Sequence, residues 1–151
     1  MIEVSTGEDV NRLIVNVTSR PRRYANITLC SPFLDEETLT RVLPLAHSAK
    51  RADCRVRLIT SPEAARRFLI RYDVSRGDIV DVLTISPRLH AKVYLAIARC
   101  SNDTEAIVTS ANLTNAGIYS NIELGVRVTP TSPSGRRLLN HVRHFIKRLA
   151  A

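Results

Sequence analysis

Short apolar runs alternate with amphipathic segments over much of the chain, a pattern that predicts strands alternating with helices. The helical spacing of apolar residues predicts helices over residues 8–18, 35–52, 61–72 and 134–149, and β-rich runs predict strands over residues 25–30, 54–60, 79–85, 90–98, 106–112 and 122–128. Asp35 and Ser61 occupy expected N-cap positions, and Pro44 is expected to bend the second helix.

The order of these elements predicts the fold class. The early strand–helix alternation implies right-handed crossovers and parallel strands, whereas the later strands are too close together for crossovers and must be antiparallel. We therefore expect an α/β fold in which a mixed β-sheet is flanked by helices on both faces, as a single domain over residues 1–151.

The charge balance favours an anionic partner. Lysine and arginine total 22 against 14 acidic residues, so 22 − 14 gives a net charge of +8, and most of the excess is arginine. Guanidinium groups bind phosphate through two parallel hydrogen bonds, although a solvated basic surface would give the same composition. No apolar run approaches the ~20 residues of a membrane span, and the first residues lack a secretory signal pattern. We expect a cytoplasmic protein without membrane contact.

The three cysteines are odd in number and widely spaced. Cys30 and Cys54 lie in apolar strand-like runs, which indicates buried reduced thiols, although a bridge between these two remains open. Cys100 has no candidate partner in this pattern.

Three predicted strands carry spaced polar residues on one side. Side chains alternate between the faces of a strand, so each segment should present its polar members together while the intervening apolar residues enter the core. Confined polar groups are unfavourable unless they bond to one another or to a ligand. The residues are His90, Lys92 and Tyr94; Ser110 and Asn112; and Asn121 and Glu123.

This order of pairs resembles the HxK…SxN…NxE pattern of the phospholipase D superfamily, and in particular its short endonucleases with one motif copy per chain. The resemblance covers roughly residues 24–128. It implies a phospholipase D-like half-domain and metal-independent phosphodiester chemistry through a phosphohistidine. His47, His141 and His144 lack a lysine two residues later, so the second histidine would come from another copy in a homodimer.

The resemblance also implies a role for each residue. His90 would attack phosphorus, and Lys92 and Asn112 would hold the phosphate oxygens. Glu123 would accept a hydrogen bond from the ring of His90. Further substrate contacts would come from Ser110, Tyr94, Thr114 and Asn121. No metal ion or other cofactor is required.

Two positions depart from the family pattern. Ile97 stands where an acid usually follows the lysine, and Thr109 stands where a glycine usually precedes the serine. These departures leave open a member with the fold but without activity.

Three functions follow as hypotheses. The first is an endonuclease acting on nucleic acid, DNA in preference to RNA, as a homodimer. The second is a phospholipid hydrolase or transferase, which would call for exposed apolar or amphipathic surface. The third is a catalytically dead nucleic-acid-binding module, whose salt-sensitive binding would survive loss of His90.

Overall fold

Seven strands form one mixed β-sheet in the computed structural model, which describes residues 1–71, 80–85 and 88–151. The strands are β1 (Ile2–Ser5), β2 (Tyr24–Cys30), β3 (Arg55–Thr60), β4 (Val80–Thr84), β5 (Val93–Ala98), β6 (Glu105–Thr109) and β7 (Gly125–Val128). The α-helices are α1 (Gly7–Ser19), α2 (Glu36–Lys50), α3 (Pro62–Arg71) and α4 (Pro133–Leu149).

The strand order is β1-β7-β6-β5-β2-β3-β4. β2, β3 and β4 are parallel, and every other neighbouring pair is antiparallel. The predicted division into an early parallel part and a later antiparallel part is therefore confirmed. The two parts join where β5 pairs with β2, which brings the end of β2 beside the start of β5, with Cys30 opposite Val93.

Helices cover both faces, as predicted. One face packs against α1 and α2 in a core of fully buried residues such as Leu13, Leu45 and Tyr94. The other packs against α4, whose residues Leu139, Val142 and Ile146 meet the apolar side of β5 and its neighbours. Alternation along each strand divides the apolar residues between these two cores.

Three predicted strands are longer than the observed strands at the same end of the sheet. β5 begins at Val93 rather than at His90, β6 ends at Thr109, and β7 begins at Gly125. The chain leaves the ladder here because its backbone groups bond to neighbouring loops, for example the Ser110 N–H to the Leu124 carbonyl at 3.1 Å. The polar residues that the pattern placed on one sheet face therefore lie mostly on connections beyond the strands.

Other predicted boundaries also change. β1 was not predicted, because this short edge strand leaves Val4 75% exposed and has no buried alternating face. α2 continues across Pro44. Asp35 is confirmed as its N-cap, accepting a hydrogen bond from the Thr38 N–H at 2.9 Å. The predicted helix end at Tyr72 and strand start at Ile79 lie outside the described residues.

All three cysteines are free thiols. Cys30 and Cys54 are buried and Cys100 is exposed. The bridge left open by the sequence does not form because Cys30 ends β2 whereas Cys54 precedes β3, and these parallel strands place the two positions at opposite ends.

Candidate active site

The sheet topology brings the motif segments together at one end of the strands, which we call the site edge of the sheet. β5 and β7 both begin where β6 ends, because β6 is antiparallel to each of them. The Thr109 N–H donates to the Lys92 carbonyl at 3.2 Å, and the Ser110 N–H donates to the Leu124 carbonyl at 3.1 Å. These bonds place the connection after β6 between those that precede β5 and β7.

His90 and Lys92 lie immediately before β5. The side chain of His90 is exposed and that of Lys92 is half-buried. The Lys92 ammonium donates a hydrogen bond to the His90 carbonyl at 3.1 Å. This contact ties the Lys92 side chain to the backbone of His90, and it leaves the imidazole exposed.

A hydrogen-bonded group joins the other two segments. The Ser110 hydroxyl donates to the Glu123 carboxylate, and the Leu124 N–H donates to the Ser110 Oγ at 3.2 Å. The Asn121 amide donates to the second Glu123 oxygen at 3.2 Å. Within the described part of the chain, no hydrogen bond links Glu123 to the ring of His90. The expected tautomer-fixing contact is thus not made in this chain, where Glu123 instead orients Ser110 and Asn121.

Asn112 carries an unusual polar atom. Its Oδ1 is buried and has no hydrogen-bond partner among the described residues. A buried unpaired amide oxygen destabilises a fold by about 1–3 kcal/mol. The amide oxygen only accepts hydrogen bonds, so the Nδ2 group of the same side chain is the part that could donate to a phosphate oxygen.

Tyr94 lies beneath the site and is fully buried. Its side chain enters the core on the α1–α2 side, and its hydroxyl donates to the Ala111 carbonyl at 2.9 Å. Burial raises the pKa of this phenol well above its usual value, so it stays a neutral donor. The position supports the backbone between Ser110 and Asn112 and gives a substrate no accessible surface on Tyr94.

The sequence did not identify the polar groups that hold the far side of this connection. The buried Ser31 hydroxyl accepts from the Leu113 N–H at 2.9 Å, and Thr38 Oγ1 donates to the Leu113 carbonyl at 2.8 Å. Asp35, besides capping α2, accepts from the Asn115 N–H at 2.5 Å. Their sequence signals were those of a strand end and a helix cap, and these signals do not reveal contacts some 80 residues away.

Thr114 lies in the turn that leaves this connection. Its side-chain oxygen accepts from the Gly117 N–H at 3.0 Å, which commits it to the turn. A Cβ at Gly117 would come within 2.5 Å of the Asn112 carbonyl oxygen, so glycine is needed for this close approach. Of the further predicted contacts, Thr114 and Tyr94 have structural bonds, whereas Ser110 and Asn121 are exposed at the edge.

The structure accommodates both departures from the family pattern. Ile97 packs as a partly buried apolar residue on the α4 side of β5. Thr109 lies opposite Gly125, and a Cβ at Gly125 would come within 2.6 Å of the Thr109 Cβ. The missing glycine before Ser110 is thus accompanied by a glycine on the neighbouring strand.

The described residues form neither a cluster of metal ligands nor a membrane-spanning helix. Among the described residues, no three His, Cys, Asp or Glu side chains cluster as metal ligands would. No helix in these ranges combines the length and apolar character that a bilayer crossing needs.

Comparison with known proteins gives matches at the level of structure. No family model and no curated protein sequence matches the chain. The structure of NucT from Helicobacter pylori matches 97% of this chain, and the match covers 96% of NucT. The TM-score is 0.61 and the sequence identity is 13%. The structure of Nuc from Salmonella typhimurium, a phospholipase D family member, matches 95% of this chain, and the match covers 91% of Nuc. The TM-score is 0.59 and the sequence identity is 15%.

Two larger proteins contain a similar unit. Polyphosphate kinase from Porphyromonas gingivalis matches 99% of this chain, and the chain spans 26% of the length of that kinase. The TM-score is 0.71 and the sequence identity is 14%. It spans half of TrmBL2, an archaeal chromatin protein, with a TM-score of 0.52 and 12% identity. These similarities show that the chain has the same fold as Nuc, a phospholipase D family member.

Proposed function

We propose that this protein cleaves phosphodiester bonds in nucleic acid by a metal-independent mechanism, at a site completed by a second copy of the chain. The observation that carries the proposal is the convergence of His90, Lys92, Ser110, Asn112 and Glu123 at one sheet edge, on connections fixed by backbone hydrogen bonds.

The first step is nucleophilic. The His90 imidazole attacks phosphorus, a phosphorus–nitrogen bond forms, and the bond from phosphorus to the leaving oxygen breaks. Lys92 and the Asn112 amide stabilise the charge on the phosphate oxygens. The leaving oxygen takes a proton from a second imidazole. Water then attacks the phosphohistidine, giving its proton to that same imidazole, and His90 is regenerated.

One chain does not supply the second imidazole at this edge. The sequence contains four histidines, and His47 lies on α2 while His141 and His144 lie exposed on α4. A two-fold arrangement would bring His90 of another copy opposite His90 of the first.

The surface around the site supports a protein contact. Three large apolar side chains are exposed near it, with Phe33 at 59%, Ile122 at 104% and Leu124 at 68%. Phe33 follows the end of β2, and the other two flank Glu123. Exposed apolar residues beside polar ones are typical of interaction surfaces. A second copy docking here would cover them while completing the pair of histidines.

Nucleic acid is the substrate class that the charge favours. The net charge of +8 attracts polyanions, and binding should weaken as salt rises. TrmBL2, half of which matches this chain, was described for its mode of DNA binding, so a protein that contains this fold binds that ligand. We propose DNA rather than RNA as the natural polymer.

The test is cleavage in excess EDTA of single-stranded DNA, duplex DNA and RNA, each end-labelled. We expect cleavage by the native protein and a loss of at least about 10³-fold in His90→Ala. The matched control is His141→Ala, which removes an exposed imidazole from α4 and should cleave normally. Acid-labile label retained on the native protein would identify the intermediate. Activity that disappears in EDTA and returns with magnesium would overturn the mechanism.

A further inference from the structure

A second basic region lies away from the candidate active site. Between the C-terminal half of α4 and the neighbouring face of the sheet is a cavity of about 770 Å³. It reaches the start of β3, at Arg55, whereas the candidate site lies at the other end of the strands. The cavity extends along β5 as far as Leu95, three residues from Lys92, so at about 3.3 Å per residue the two regions lie about 10 Å apart at their nearest.

Cations outnumber acids in this cavity. Its lining includes five basic side chains and two carboxylates: Lys50, Arg55, Arg57, Arg143 and Lys147 against Asp53 and Asp81. Both carboxylates have partners already, since Asp81 pairs with Arg57 at 2.7 Å and Asp53 lies 3.9 Å from Arg99. Over residues 1–71, 80–85 and 88–151, the remaining four cations form no ion pair.

Arg143 provides an independent sign of a ligand. Its Nε is buried and has no hydrogen-bond partner in the described part of the protein. The residue as a whole is only half-buried, and a guanidinium N–H that is buried without a partner is unfavourable until an anion or a carbonyl lies beside it. Phosphate oxygens match the fork of such a group.

The rest of the lining indicates which part of a ligand is recognised. Asn26 and Thr28 add hydrogen-bonding groups from β2, whereas none of the described residues that line the cavity is aromatic. Base recognition by stacking needs aromatic platforms, so this surface is suited to the sugar-phosphate backbone.

We infer that this cavity, here called the α4 groove, is a second, non-catalytic site that binds the backbone phosphates of a single nucleic acid strand. The inference rests on the proposed function for its choice of polymer. A nucleic acid strand that contacts both regions would span several nucleotides. The α4 groove would therefore favour substrates that extend several nucleotides beyond the cleaved bond.

The experiment measures binding of labelled single-stranded oligonucleotides of mixed sequence in the His90→Ala background, at several salt concentrations. The double variant Arg143→Gln with Lys147→Gln should weaken binding about tenfold. It should also lower the slope of log affinity against log salt by about 1.4, since each phosphate contact on a single strand contributes about 0.7. The control, Arg137→Gln with Arg148→Gln, removes the same charge from exposed positions of α4 outside the cavity.

Each outcome decides a separate point. Equal losses in the two double variants would reduce the effect to net charge and overturn the inference, as would a failure to bind any oligonucleotide. Displacement by pyrophosphate as effective as displacement by the oligonucleotide would overturn the assignment to a strand. Groove-dependent binding without cleavage by the native protein would uphold the inference while refuting the proposed nuclease. Thermal melting of both double variants checks that they fold.

Discussion

The candidate active site and the α4 groove are both polar regions of one sheet, yet they are organised in opposite ways. At the site edge, Ser110, Asn121 and Glu123 are bonded to one another, and the connection beneath them is fixed by buried donors and acceptors. In the α4 groove, Arg143 has an unpaired buried donor, and among the described residues Lys50, Arg55 and Lys147 form no ion pair, whereas Arg57 pairs with Asp81.

This difference indicates different tasks. A reaction requires groups held within a fraction of an ångström, which bonding networks and packed supports provide. Retaining a polymer requires charge at suitable spacing, and flexible side chains suffice for that. Asn112 is the exception at the site edge, because it combines a fixed backbone with an unsatisfied side-chain oxygen.

The comparison is tested most strongly at Asn112. Asn112→Ala should reduce cleavage by about 10²–10³-fold, the typical effect of losing one donor to a developing oxyanion. The melting temperature should stay the same or rise, because the variant removes a buried oxygen that has no partner. Initial rates and thermal melting of the same preparation provide the measurement.

The matched control for Asn112 is Asn140→Ala, an exposed position on α4. It should leave both the rate and the melting temperature near those of the native protein. A large loss of stability in Asn112→Ala would contradict the distinction between a functional and a structural polar group.

A medium effect is expected from the support beneath the site. Ser31→Ala removes the acceptor for the buried Leu113 N–H and should lower the free energy of unfolding by about 2 kcal/mol. For a chain of this size that corresponds to a fall of about 4–8 °C in melting temperature. Ser19→Ala, near the exposed end of α1, is the control and should change melting by less than about 1 °C. Equal melting of the two variants would show that the buried network does not stabilise the edge.

The smallest effect is expected at Cys30, a buried residue at the end of β2, beneath the candidate active site. Burial raises the pKa of the Cys30 thiol from 9.0 to about 11. The folded state therefore holds this proton more tightly than the unfolded state does. Its stabilising contribution is complete below pH 9 and is lost as the pH rises from about 9 to 11. Denaturant unfolding across that range should show a shallower alkaline decline for Cys30→Ala than for the native protein.

Cys100→Ala serves as the comparison because Cys100 is exposed. Its alkaline decline should match that of the native protein, which retains Cys30. If the free energy of unfolding fell equally with rising pH in the two cysteine variants, the pKa of the Cys30 thiol would not be raised by burial.

The residue pattern determined the secondary-structure elements of this protein and the candidate residues of its site. Within the described residues, alternating apolar runs predicted six of the seven strands and all four α-helices, and the spaced polar pairs gave the candidates His90, Lys92, Ser110, Asn112 and Glu123. These features are local, because helix spacing, strand alternation and capping depend on residues a few positions apart.

Only the tertiary structure decided how the candidate residues are held. The exchange of the predicted Glu123–His90 bond for Glu123–Ser110, the burial of Tyr94, and the contacts of Ser31 and Asp35 with the connection after β6 join segments far apart in the chain. The α4 groove likewise combines α4 with the starts of distant strands. Such pairings depend on the sheet order and on where each strand stops, and neither is encoded by the spacing of neighbouring residues.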